Sequence, residues 1–401
     1  MRRLRLPMWL LATVALCACA QGIALGRSAE PARWPFAELQ IGLADQPGGA
    51  AALAAVAPMR LRYQYLSGGV NTGSGWETWN QNGSFVSRYV AESRAHDLVS
   101  VFSYYQIRQS LPGARNSDES AADLGNLANV ATMRAYLLDL ETFFKRASAA
   151  GGTVVLHLEP DLFGYIELAA HGDAARVPAA VASTRLAPLR GFANNASGFA
   201  QAVLALRDRF ARNVLVGYPI SVWGTSVDIH LNHPSPAHVD AMAAQSVAFY
   251  RSLHAHFDVS FSEVTDRDAG YAQTVDHQSG AWWHAVDFGR DLRFLADYHR
   301  AVALPIVIWQ IPLGNTVSPL VNNTPFHYRD NKVQWFLGAG VRSHLLAFAH
   351  AGVVALLFGG GQAQDTDAGE DSGDGRPDDG GYFDARARAY YRAGAIALPS
   401  G

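Results

Sequence analysis

At 401 residues, with a formal net charge of −3 and 49% hydrophobic residues, the chain can build one large core or two ordinary ones. The near-neutral balance, with no basic stripe, argues against nucleic acid, whose phosphates demand clustered Lys and Arg. Both cysteines, Cys17 and Cys19, fall at the extreme N-terminus, so the body has no disulfide and its stability must come from burial.

In chain order, Arg2, Arg3 and Arg5 precede an apolar run over 6–16 that is too short to span a bilayer. Residues 1–20 therefore read as a signal peptide. Two exits stay open. Ala18-Cys19-Ala20 fits a small-residue cleavage site, and Leu16-Cys17-Ala18-Cys19 is similar to the lipobox of bacterial lipoproteins, with Cys19 acylated. The expectation is a secreted, periplasmic or outer-surface protein, monomeric, touching a membrane only through that anchor. Residues 21–37 read as a tether and 38–401 as one domain.

The body repeats a short apolar run, a glycine-bearing loop and a longer amphipathic segment. Strands are predicted over 39–45, 59–66, 98–107, 153–161, 213–222, 259–266, 305–312 and 352–359. The clearest helices are predicted over 130–149, 197–212, 236–256, 281–302 and 331–350. Eight such units with strands apolar on both faces predict a (β/α)8 (TIM) barrel. The open doubly wound sheet is the competitor. However, Asp45-Gln-Pro-Gly-Gly49 lacks the G-x-G-x-x-G order that cradles a pyrophosphate.

In such a barrel the strand C-termini carry the chemistry. Along the fourth strand, alternation predicts that His157, Glu159 and Asp161 share one face, opposite Val154, Leu156 and Leu158, with Pro160 ending the run. Around the same rim come Asp45; Trp76 and Trp79; Tyr104 and Gln106; Tyr218 and Trp223; Glu263 and Asp266, then Trp282 and Trp283; and Trp309, Gln310 and Asn315. Six of the nine tryptophans map there. Indole faces stack on sugar rings while amides and acids bond hydroxyls, so the rim predicts a carbohydrate cleft needing no cofactor.

Taken together, these residues resemble the barrel-fold glycoside hydrolases over essentially the whole body. Leu158-Glu159-Pro160 is similar to the N-E-P of the large retaining clan, whose Glu is the acid/base and whose nucleophile ends strand seven. Trp309-Gln310 stands there instead. Glu159-Pro160-Asp161 is also similar to the E-P-D of the inverting family-six cellulases. The resemblance implies two carboxyls: Glu159 as general acid and Glu263 as its partner, with Asp161 and Asp266 as alternates. Alternation also allows Glu263 to face the helices and Asp266 the interior.

The acidic glycine-rich loop over 362–381 offers Asp365, Asp367 and Asp371 as ligands for a structural Ca²⁺, although the EF-hand register is not met. Neither a G-x-S-x-G elbow nor an H-E-x-x-H motif occurs. The competing function is a non-catalytic glycan-binding surface lipoprotein with a degenerate cleft.

Overall fold

The structure, a computed structural model, describes residues 33–399. The signal peptide, Cys19 and most of the tether lie outside the described residues. Eight parallel strands close into a barrel in chain order, with β8 returning to β1: β1 (Gln40–Ala44), β2 (Leu61–Leu66), β3 (Val99–Tyr104), β4 (Val154–Leu158), β5 (Val214–Pro219), β6 (Val259–Glu263), β7 (Ile306–Ile311) and β8 (Val353–Phe358). The expected (β/α)8 barrel is therefore what the chain forms. Its outer layer comprises α1 (Ala50–Val56), α2 (Ser84–Ala95), α3 (Val130–Ala150), α4 (Ala196–Phe210), α5 (Pro236–Ser252), α6 (Ala285–Val302), α7 (Arg342–His350) and α8 (Tyr382–Arg392).

Both strand faces are buried, which explains the unbroken apolar runs. Leu61, Tyr63, Val101, Val155, Leu215, Phe261, Val307 and Leu357 fill the lumen. Their neighbours, among them Phe102, Leu156, Val216, Ile308 and Leu356, pack outward against the helices. The lumen is tight enough to demand small residues opposite large ones. A Cβ on Gly217 would lie 2.4 Å from the Phe261 ring, and one on Gly42 would lie 2.6 Å from Leu357.

Two boundaries differ from expectation. Trp34 and Phe36, edge to face at 5.8 Å, pack against the lumen cluster, so the last part of the presumed tether belongs to the barrel. The single helix expected over 331–350 is two, Lys332–Leu337 and α7, because Gly338-Ala-Gly340 interrupts it with Gly340 at φ +76°.

The outer layer contains a buried cation. Arg62 of β2 is fully enclosed, its guanidinium 3.8 Å from the centre of the Tyr89 ring. It pairs with Asp45 at 2.6 Å and Glu92 at 2.9 Å, and donates to Ser93 Oγ at 2.9 Å. Asp45, expected to bind substrate, is thus committed to neutralising Arg62. Arg62→Ala should cost about 3–5 kcal/mol by leaving two half-buried carboxylates unpaired. Asp45→Asn should cost clearly less because Glu92 remains. Urea denaturation of the two variants checks the ranking.

Candidate active site

The strand C-termini open into a hollow of about 490 Å³. Tyr65 reaches it from β2, Tyr105 from the β3 exit, Asp161 from the β4 exit, and Trp223, Asp228 and His230 from the loop after β5. Glu263 lines it from the end of β6, Asp266 and Arg267 from the loop that follows, Trp309 and Gln310 from β7, and Gln362 from the loop after β8.

Alternation fails at the residue just past β4, and that failure shapes the site. His157 does face the lumen, stacked on Phe261 at 4.2 Å and edge-on to Trp309 at 4.4 Å. Burial drives its pKa well below the imidazole range, so it is a neutral packing group beneath the hollow. Glu159 should come next on the same face. Instead its backbone turns to φ +43°, and its carboxylate swings to the β3 exit, accepting from the backbone N–H groups of Gln106 and Ile107 at 3.0–3.2 Å. It is 1% exposed and does not line the hollow. The general acid expected at Glu159 is corrected on this ground. Past the turn, Asp161 returns to the mouth.

Glu263 resolves the other way. Val259 and Phe261 face the lumen while Ser260 faces Tyr298, so alternation brings Glu263 into the hollow and not towards the helices. It accepts no hydrogen bond among the described residues. Burial, reinforced by repulsion from Asp161 and Asp266, pushes its pKa up to about 8. Asp161 is raised by burial to about 6, with the Tyr105 hydroxyl opposing the shift. Burial also works against ionisation of Asp266, but Arg267, forked onto it at 2.7 and 2.6 Å, and Gln362 at 2.7 Å outweigh this and hold it below the usual range. At neutral pH the hollow therefore contains a protonated Glu263 beside an ionised Asp161 and a clamped, ionised Asp266.

On β7 the register against β8 slips between Ile308 and Ile311, and Gln310 takes φ +58°. The irregularity lets adjacent residues, Trp309 and Gln310, both line the hollow, where strict alternation would admit one. Gln310 Oε1 accepts from the Tyr65 hydroxyl. Trp309 leans on Tyr65 at 5.7 Å, and Trp223 rests on Tyr165 at 4.9 Å.

The other expected contacts lie elsewhere. Trp76 is fully buried and donates to Asp139 Oδ1 at 2.7 Å, and the Tyr104 hydroxyl bonds the same oxygen from the outer face of β3. Trp79 packs on Phe85, and Trp282 bonds Gln273; neither lines the hollow. Gln106 is buried with an unpartnered amide. Tyr218 sits among Phe163, Tyr250 and Phe257 of the outer core. Trp283 is buried behind His230. Asn315 is a loop clamp that donates to Asp379 O and accepts from Val317 and Ser318.

Among the described residues no three acidic or imidazole side chains converge on a cation position. Asp365 accepts from the backbone of Gln362, and Asp367 from that of Gly369. With Asp371 they edge a second hollow of about 240 Å³ that shares Tyr65 and Gln362 with the first.

Tyr105 and His230 follow strand exits that the sequence places on the rim, whereas Tyr65, Arg267 and Gln362 are not anticipated there. Tyr65 and Tyr105 follow from strand parity once Tyr63 and Val101 are seen to face the lumen. The rest arrive on loops and left no periodic signal.

No protein-family model and no curated protein matches this chain. Among solved structures it is similar to a modular endo-beta-1,4-mannanase of glycoside hydrolase family 26 from Cellulomonas fimi (14% identity over 90% of this chain and 75% of that one, TM-score 0.47). It is also similar to a beta-glycosidase (12% identity over 88% and 86%, TM-score 0.46) and to D-psicose 3-epimerase from Clostridium cellulolyticum H10 (9% identity over 88% and 98%, TM-score 0.36). Such distant likenesses carry no argument about activity.

Because the Glu159 carboxylate satisfies two buried N–H groups, Glu159→Ala should lower unfolding free energy by at least about 2 kcal/mol. An unchanged urea midpoint would return this residue to consideration as part of the chemistry.

Proposed function

We propose that this hollow is the active site of a secreted or lipid-anchored glycoside hydrolase acting on a polysaccharide or oligosaccharide, with Glu263 as general acid and Asp161 as the second carboxyl. One observation carries the reading: carboxyls from the exits of β4 and β6 face a single aromatic-walled hollow with their protonation states driven apart. Glycosidic cleavage needs that division. The protonated acid delivers its proton to the leaving oxygen, while the ionised carboxylate attacks the anomeric carbon or activates water against it.

The remaining groups fit supporting roles. Asp266, kept ionised by Arg267, adds to the repulsion that holds the proton on Glu263. Trp223 and Trp309 offer faces for sugar stacking. Gln310 has its carbonyl occupied by Tyr65, which leaves its amide N–H groups for a substrate hydroxyl. With glutamine at the end of β7, the acid pair is carried by β4 and β6, in contrast to the retaining clan the sequence resembles.

A panel of purified polysaccharides tests the reading. Activity should follow a bell-shaped pH profile with limbs near 6 and 8: below the first, Asp161 takes up a proton, and above the second, Glu263 loses the one it must donate. Glu263→Gln should lower kcat by about 10²- to 10⁴-fold. Tight glycan binding with no turnover on any polymer would favour the non-catalytic binding protein instead.

A further inference from the structure

Between the strand exits that carry the two carboxyls, the loop after β5 gives the hollow a wall that the proposed chemistry does not use. His230 stands there, in the loop between β5 and α5. Its Nε2 lies 3.1 Å from Oδ1 of Asp291 on α6. Asp291 is fully buried, has no other partner among the described residues, and leaves Oδ2 unpartnered. A buried carboxylate with one bond is costly, and replacement by an apolar residue of similar size is often neutral or stabilising. Folding alone gives no reason for an acid here.

The geometry accounts for it. A carboxylate can only accept, so the bond places a proton on Nε2 and, in the neutral ring, leaves Nδ1 as an acceptor with no protein partner among the described residues. The ring cannot easily rotate out of this state. It packs on Trp283 at 4.5 Å, and Trp283 is backed by Phe288 at 4.9 Å. Its backbone is also held, since Asp228 Oδ1 accepts from His230 N at 2.7 Å and Leu231 N at 2.9 Å. Trp283 therefore buttresses the wall and does not itself meet the sugar.

We propose that His230 is a substrate-binding residue whose Nδ1 accepts a hydrogen bond from a sugar hydroxyl, and that Asp291 is the positioning residue that fixes its tautomer and orientation. This rests on the hollow being a glycan site, though not on its being hydrolytic. It predicts a substrate that presents a free hydroxyl towards the β5 loop while the scissile bond lies over Asp161 and Glu263.

The test measures binding of cellohexaose, mannohexaose, xylohexaose and a chitosan hexamer by calorimetry, in the parent and in Glu263→Gln, alongside KM and kcat. For the tightest probe, His230→Ala should weaken binding and raise KM about tenfold while kcat moves less than about threefold. His230→Asn, which keeps an acceptor near the Nδ1 position, should recover part of the loss. Asp291→Leu should retain or raise the thermal midpoint and still weaken binding several-fold, whereas loss of a merely structural carboxylate would lower the midpoint and spare KM. Unchanged binding and KM in His230→Ala overturn the proposal. Binding that depends on His230 without hydrolysis of any probe removes the hydrolase reading alone, and no binding of any probe removes both.

Discussion

The contact between the Glu159 carboxylate and the N–H groups of Gln106 and Ile107 decides which acids reach the mouth of this barrel. A β3 strand leaving a closed barrel exposes backbone donors that its neighbours cannot satisfy, and burial makes them expensive to leave unpaired. Glu159 supplies the acceptor, and the positive φ needed to reach them costs roughly 1–3 kcal/mol. The same turn sets where the chain resumes, so that Asp161, two residues on, faces the hollow in its place. A residue with the look of catalysis is thus the local scaffold that positions the adjacent acid.

From that placement the electrostatics follow. Asp161, Glu263 and Asp266 share a small volume, and like charges at close range cannot all persist where water is scarce. Arg267 settles the ordering by fixing its fork on Asp266, with Asp276 taking its other side. The proton then stays on Glu263, where burial and the neighbouring acids outweigh the opposing pull of Arg267 and no hydrogen bond is accepted among the described residues. Separation of roles among chemically similar groups arises here from one guanidinium and from depth.

Much of the architecture was legible because burial on both strand faces writes a strong signal. The eight apolar runs correspond to the eight strands, and the long amphipathic segments to outer helices, apart from the break at Gly338-Ala-Gly340. Of the candidate site, Asp161, Glu263, Asp266, Trp223, Trp309 and Gln310 were recognisable as rim residues. What parity reasoning could not deliver was the turn at Glu159 or the slip at Gln310, since one residue with φ > 0 re-aims a side chain against the alternation. Loop residues such as His230 and Gln362 carry no period at all.

The misplaced aromatics have a common physical cause. Polar-tipped aromatic residues near a strand exit suit two environments equally: a sugar cleft, and the seam between the sheet and its helices. In both, a ring is buried while one polar atom needs a partner. Trp76 and Tyr104 found theirs on Asp139 of α3, and Arg62 found Asp45 and Glu92 by the same logic. Each of these outward polar groups is matched by a carboxylate drawn from a nearby helix or loop. The tell-tale lies in the partner more than in the aromatic: where the acid is committed to a buried donor the residue holds the fold, and where it stands open, as Glu263 does, it is free for chemistry.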